Sequence, residues 1–213
     1  MTLLSGAENK IGIVGSGGLG KEVLCCLGEL FGWKDLKDKV SFLVEEEFLL
    51  QDTVLGIEVL PFSTHIQHFS RIVIAIGDLT ARIRIRGLLP SSTRIETVVH
   101  PTVSLTPYTH IGEGSIVLGN TLLSCDVQIG RFAIINPGTT ISHDCHIGDY
   151  FTASPGVNIS GQCTLGERVF MGTNSCTRNA ITIGDDVIIG MGAVVVKNIL
   201  QPGTYVGNPA GLI

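Results

Sequence analysis

From Val99 onward an apolar residue returns every six positions: Leu105, Ile111, Val117, Leu123, Ile129, Ile135, Ile141, Ile147, Ala153, Ile159, Leu165, Met171, Ile183, Ile189 and Val195, with Thr177 interrupting the series. Four residues after each member lies a mostly small or branched one, such as Val103, Thr109, Ser115, Thr121, Val127, Ala133 and Thr139. Side chains alternate across a short strand, so both sets point inward and the residues between them outward. The pattern predicts a filled triangular prism of stacked coils. Gly112, Gly130, Gly148, Gly166 and Gly184 recur at eighteen residues, three hexads or one coil. They are expected to mark one corner, where a left-handed coil calls for a backbone conformation that glycine takes without a Cβ clash. Cys145 and Cys163 fall in the inward class one coil apart, roughly 4.8 Å along the stack, and read as small core fillers. Phe151 is oversized for its inward slot, and the small Ala153 is expected to accommodate it.

The first half has a different rhythm. Lys10 to Val14 reads as a buried strand, Gly15-Ser16-Gly17-Gly18-Leu19-Gly20 as a turn and Lys21 to Leu30 as a helix, which sets G-x-G-x-x-G in its strand-turn-helix context. Such glycines let backbone N–H groups approach a phosphate at a helix N-terminus. A second strand, Val40 to Val44, ends in Glu45, Glu46 and Glu47, about where a ribose-binding acid falls. A third, Arg71 to Ile76, runs into Gly77 and Asp78 before an Arg-rich helix, Leu79 to Leu89. About 95 residues hold one mononucleotide-binding half and not the two that a dinucleotide spans. One nucleotide is the better fit; the alternative is a turn that serves only tight strand-helix packing. The fold class that follows is an α/β Rossmann-like half-domain over residues 1–95 and a left-handed parallel β-helix over residues 96–213.

Composition narrows the chemistry. The 213 residues are 44% hydrophobic without a run long enough to span a membrane, and MTLLSGAENK has no charged or apolar leader pattern. A cytoplasmic protein is expected. Its six cysteines include no C-x-x-C pair, so reduced thiols and no metal site are expected. The formal charge of −5 and the lack of a basic cluster argue against nucleic acid as a partner.

Four stretches carry a more specific likeness: IVGSGGLGKEV at 13–23, IAIGDLTARIRI at 74–85, INPGTTISHDCHIGDY at 135–150 and the C-terminal VGNPA. In this order they resemble the hexapeptide-repeat nucleotide-sugar N-acetyltransferases of bacterial glycan synthesis, including the bacillosamine, perosamine and sialic-acid-cluster members. The resemblance implies acetyl transfer from acetyl-CoA to the 4-amino group of a nucleotide-linked, expectedly UDP-linked, deoxy sugar, without metal; the prism's flat faces, for their part, lead us to expect a homotrimer with ligand grooves between subunits. It puts the general base at His143 with Asp144 as its partner, and Gly161, one coil on, as an oxyanion donor. His143 lies two residues after inward Ile141, so its ring is expected to face outward, as His100, His110 and His146 also do.

Carried over residue by residue, the acetyl-CoA contacts fall on Thr152, Gly161, Thr173 and Met191 and on the tail Gly207, Asn208 and Pro209. Thr152 replaces a histidine found in a close relative, and Gly211 stands where a basic residue is common. The nucleotide contacts fall on Gly17, Gly18, Leu19, Val44, Glu45, Gly77 and Asp78. Leu19 replaces a frequent histidine and Val44 an aspartate, which leaves the base and sugar open. Other readings are O-acetylation of a free sialic-acid-like sugar and a non-catalytic nucleotide-sugar sensor. A γ-type carbonic anhydrase on the same prism needs three converging histidines, and no third follows His143 and His146.

Overall fold

Three consecutive apolar strands build the centre of the first of two units, which divide between Val98 and Val99. The computed structural model describes residues 10–213; the leader reading of the opening segment lies outside the described residues. Strands β1 (Ile11–Val14) and β2 (Val40–Val44) are buried at every position, as expected of parallel strands covered on both faces. Between them helix α1 (Gly18–Phe31) buries Val23, Leu24, Cys26 and Leu27, the i, i+3, i+4 stripe of an amphipathic helix. It ends at Gly32, whose φ of 84° and N–H bond to the Gly28 carbonyl stop the helix. A single-turn helix α2 (Leu36–Lys39) leads into β2.

Beyond β2 lie a hairpin, β3 (Thr53–Val54) and β4 (Ile57–Pro61), a short helix α3 (Phe62–His65), then β5 (Arg71–Ile74), α4 (Leu79–Leu88) and β6 (Arg94–Ile95). The sheet order is β3-β4-β2-β1-β5-β6, with only the β3–β4 edge antiparallel. The chain steps from β1 to β2 on one side and later returns to place β5 on the other. The ends of β1, β2 and β5 therefore border the place where strand order reverses, which is where open α/β sheets hold ligands. The hairpin and β6 go beyond the three strands expected from sequence.

The second unit is a stack of very short parallel strands in three sheets. From His110 to Val195 each rung pairs residue i with i+18, as Leu122 with Thr140, Gln128 with His146, and Ile134 with Thr152, whereas the final rung shortens to sixteen and pairs Val187 with Gly203. The arrangement fits the left-handed β-helix expected from the hexads. The face containing Ile134–Ile135 and Thr152–Ala153 is here called the first. The second contains Thr140–Ile141, and the third contains His146–Ile147. Both inward sets are buried along most of the stack, and Thr177 fills its slot too, at 4% exposure. Cys145, Cys163, Phe151 and Ala153 are all completely buried within this core. The Cys145 thiol is pushed upward by its contact with Cys163 and by burial.

The five spaced glycines do mark one corner, but for a different reason than expected. None of them has positive φ. Every sixth residue from Gly114 to Gly192 does, and ten of these are not glycine, including Asn120, Asp126, Asp144, Asn174 and Asp186. Asn and Asp tolerate that region best among side chains. The corner glycines are instead required by coil-to-coil contact: a Cβ on Gly148 would lie 2.5 Å from the carbonyl carbon and oxygen of Gly166, and one on Gly112 would meet Gly130 likewise.

Candidate functional site

In the first unit a cavity of about 540 Å³ opens at the ends of β1, β2 and β5. Its walls combine the turn Gly15-Ser16-Gly17, the segment from Val44 to Gln51, and Asp78, Ala81 and Arg84 at the start of α4. Of the residues expected to bind nucleotide, Gly17, Val44, Glu45 and Asp78 line this cavity. Gly18, Leu19 and Gly77 adjoin it in sequence without lining it.

The turn's glycines separate into two kinds. Gly15 has φ of 103°, and a Cβ there would lie 2.7 Å from the Ala75 carbonyl oxygen; a Cβ on Gly20 would collide with the Gly15 carbonyl. These two serve packing. A Cβ on Gly17, Gly18 or Gly77 would meet nothing within 4 Å, and none of the three has positive φ. The protein's own packing does not call for glycine there, whereas close approach of a ligand to backbone N–H groups does.

Two charged contacts organise the opposite wall. Arg84 donates from both terminal nitrogens to the two oxygens of Glu45, at 2.6 and 2.5 Å. These hydrogen bonds hold the Glu45 carboxyl below the usual carboxylate range. Asp78 caps α4 by accepting from the Ala81 N–H at 2.8 Å, so one of its oxygens serves the helix. Sequence reasoning missed Arg84 and Phe48 as wall residues and named Glu47 only as one of the three acids after β2. The Glu triplet pointed to the place, but the Arg84 partnership spans 39 residues and has no local signal.

In the second unit His143 sits at the corner between the second and third faces. Asp144 adopts φ of 59°, which turns its carboxylate beside the preceding ring, a contact that extended backbone would not allow. Asp144 Oδ2 lies 2.6 Å from His143 Nδ1. An ionised carboxylate only accepts, so Nδ1 is the donor, and in the neutral ring Nε2 is left with the lone pair. The side chain of His143 is 54% exposed. One coil on, a Cβ on Gly161 would lie 2.7 Å from Cε1 and 2.8 Å from Nε2 of that ring. Gly161 is thus the seat of the imidazole, and its N–H has no hydrogen-bond partner among the described residues.

The other expected acetyl-CoA residues lie elsewhere on the prism. Thr152 is on the first face, and Thr173 and Met191 stack at the corner between the first and second faces. Met191 is 81% exposed. The tail is fixed where Gly207 accepts from the Val194 N–H at 3.0 Å and Ala210 donates to the Val194 carbonyl at 2.9 Å. A single chain does not bring this set together with His143 and Gly161. His110 and His146 line a shallow cleft on the third face with Gln128. Among the described residues no group of three or more His, Cys, Asp and Glu side chains is placed to hold a metal ion, and no helix is long and apolar enough to cross a membrane.

No protein-family model matches the chain, and neither does any curated protein sequence. Solved structures do match over nearly its whole length. WeeI from Acinetobacter baumannii AYE is 30% identical, with 96% of this chain and 99% of that one covered and a TM-score of 0.88. The acetyltransferase domain of PglB from Neisseria gonorrhoeae FA1090, solved with acetyl coenzyme A, is 28% identical over 97% and 100%, with a TM-score of 0.87. PerB from Caulobacter crescentus, solved with CoA and GDP-perosamine, is 28% identical over 99% and 100%, with a TM-score of 0.85. With these likenesses spanning both units, the chain belongs to the bacterial nucleotide-sugar N-acetyltransferases, which are acetyl-CoA-dependent enzymes.

Proposed function

We propose that the protein transfers the acetyl group of acetyl-CoA to the 4-amino group of a UDP-linked amino-deoxy sugar, in the cytoplasm, for bacterial surface glycan or glycoprotein synthesis. The observation that carries this reading is the His143 ring, bound to Asp144 through Nδ1 and seated on Gly161. Histidine variants of the Caulobacter perosamine N-acetyltransferase, solved with CoA and GDP-perosamine, are consistent with a histidine at the centre of the chemistry.

His143 Nε2 removes the amine proton as the sugar nitrogen attacks the thioester carbonyl. Asp144 keeps the ring oriented and stabilises the imidazolium that forms. The Gly161 N–H donates to the carbonyl oxygen as it gains negative charge. His143 then returns its proton to the sulfur that leaves. No acyl-enzyme is needed, which accords with Cys145 and Cys163 being sealed inside the prism.

Thr152, Thr173, Met191, Gly207, Asn208 and Pro209 hold acetyl-CoA in this reading, and Gly161 meets its thioester. Apart from Gly161, they stand on other parts of the prism than His143, so in this reading the complete site requires a second copy. A homotrimer of prisms supplies one groove per pair of subunits. The first unit, read as a Rossmann-like half-domain, takes the nucleotide at Gly17, Gly18, Leu19, Val44, Glu45, Gly77 and Asp78. The open space before Gly17, Gly18 and Gly77 supports this.

The test is CoA release from acetyl-CoA against a panel of UDP- and GDP-linked 4-amino sugars, with wild type and His143→Ala in parallel. Acetylation of one nucleotide amino sugar, lost in the variant, is expected. Turnover only with free sialic-acid-like sugars would replace this reading by O-acetylation.

A further inference from the structure

The segment following β2 presents three consecutive carboxylates, and the structure assigns them unequal work. Glu45 gives both oxygens to Arg84 on α4. Glu46 accepts from the Ser63 hydroxyl on α3. Each contact joins this segment to a different helix, so Glu45 and Glu46 act as two struts for the turn Glu46–Phe48. Glu47 stands between those struts, lines the cavity, and makes no hydrogen bond or ion pair among the described residues. Its charge adds to the field that keeps Arg84 protonated.

We infer that Glu47, and not Glu45, is the acid that reads the ribose of the bound nucleotide. The inference rests on the reading of this cavity as the nucleotide site. An ionised carboxylate is purely an acceptor, so its partner must present donors. The ribose hydroxyls are donors that every ribonucleotide carries, whatever its base. An acid after the second strand of such a sheet is in position to take the 2′-hydroxyl, as the glycine turn at the end of the first takes phosphate. Arg84 already occupies Glu45 in the two-pronged geometry that uses both carboxylate oxygens. Contact with the sugar would have to compete with that pair, whereas Glu47 has no partner to surrender. The Glu45–Arg84 and Glu46–Ser63 contacts thus hold the segment that carries Glu47 in place. The assignment also makes the departure at Val44 tolerable: an acid three positions on supplies the acceptor that the valine lacks.

The experiment is calorimetric titration of the full chain with UDP and GDP and with their 2′-deoxy forms, for wild type, Glu45→Gln and Glu47→Gln. Wild type is expected to prefer the ribonucleotide by about tenfold, the scale of one hydrogen bond to a charged group. Glu47→Gln should weaken the ribonucleotide by about that factor and bring the ribo-to-deoxy ratio close to one. Glu45→Gln should weaken both forms alike by loosening the segment, with the ratio kept. A wild-type ratio of one, or a ratio that Glu47→Gln leaves unchanged, overturns the assignment while leaving the nucleotide site standing. Wild type that binds neither UDP nor GDP overturns the nucleotide reading and, with it, the role of Glu47.

Discussion

At the scale of single residues, the two tasks proposed for Gly161, seating the His143 ring and donating to the carbonyl oxygen, are ones that a single substitution separates from stability. A Cβ there would press on the imidazole at 2.7 Å, well inside van der Waals contact, and the exposed ring can swing away without disturbing the prism core. Gly161→Ala is therefore expected to lower kcat by about 100-fold, on the scale of losing an oriented base, with Tm within about 2 °C of wild type. Combined with His143→Ala it should cost little more, because both changes remove the same positioned ring. Steady-state kinetics and thermal melts of the single and double variants check this; full activity in Gly161→Ala would show that the ring works from another position. His143 was singled out only through the likeness around INPGTTISHDCHIGDY, since its outward position was shared with three other histidines. The seat beneath it was not legible as such. Spacing placed Gly161 one coil away, but whether a ring lies over it depends on the left-handed turn at Asp144. Arg84 was hidden for a similar reason, its partner being fixed by the return of β5 beside β1 and not by anything near it in sequence.

Among elements, the prism declared itself because each coil repeats the same steric demand every six residues, so even the polar Thr177 is forced inward. The sheet of the first unit was harder to see. Its central strands are continuous apolar runs, whereas β3 and β6 have two residues each, too few to show alternation. The corner glycines show how a correct position can carry a wrong cause. If conformation were the reason for Gly148, alanine there would be harmless, since its φ is not positive. Close contact predicts otherwise: Gly148→Ala should destabilise the chain by about 2–3 kcal/mol, the scale of overpacking against backbone that cannot retreat. Gly138, with φ of 72° and nothing within 4 Å of a Cβ, provides the contrast. Alanine there should cost only the left-handed strain of about 1 kcal/mol. Urea unfolding at one fixed protein concentration ranks the two, and the reverse order would show that close contact is not what requires glycine at position 148.

For the whole molecule, what decides is that the residues proposed for the site stand at separate corners of one prism. His143 and Gly161 share one corner of the prism, while Thr173 and Met191 share another, and Met191 is left 81% exposed. Burying a large apolar side chain is favourable by roughly 1.5–3 kcal/mol, so a ligand or second copy covering that corner gains by doing so. If each groove takes its base from one subunit and its acetyl-CoA contacts from the next, two defective chains can repair each other. His143→Ala chains and Met191→Arg chains should each be nearly inactive as pure assemblies. Mixed in equal amounts under conditions where subunits exchange, about a quarter of the grooves combine an intact His143 corner with an intact Met191 corner. Activity should rise to roughly that fraction of wild type as exchange proceeds, and should stay at baseline when the same chains are combined without exchange. Mixed assemblies that form, as seen by native mass spectrometry, yet remain inactive would place both halves of the site on one chain, and the separation of the two corners would then need another explanation.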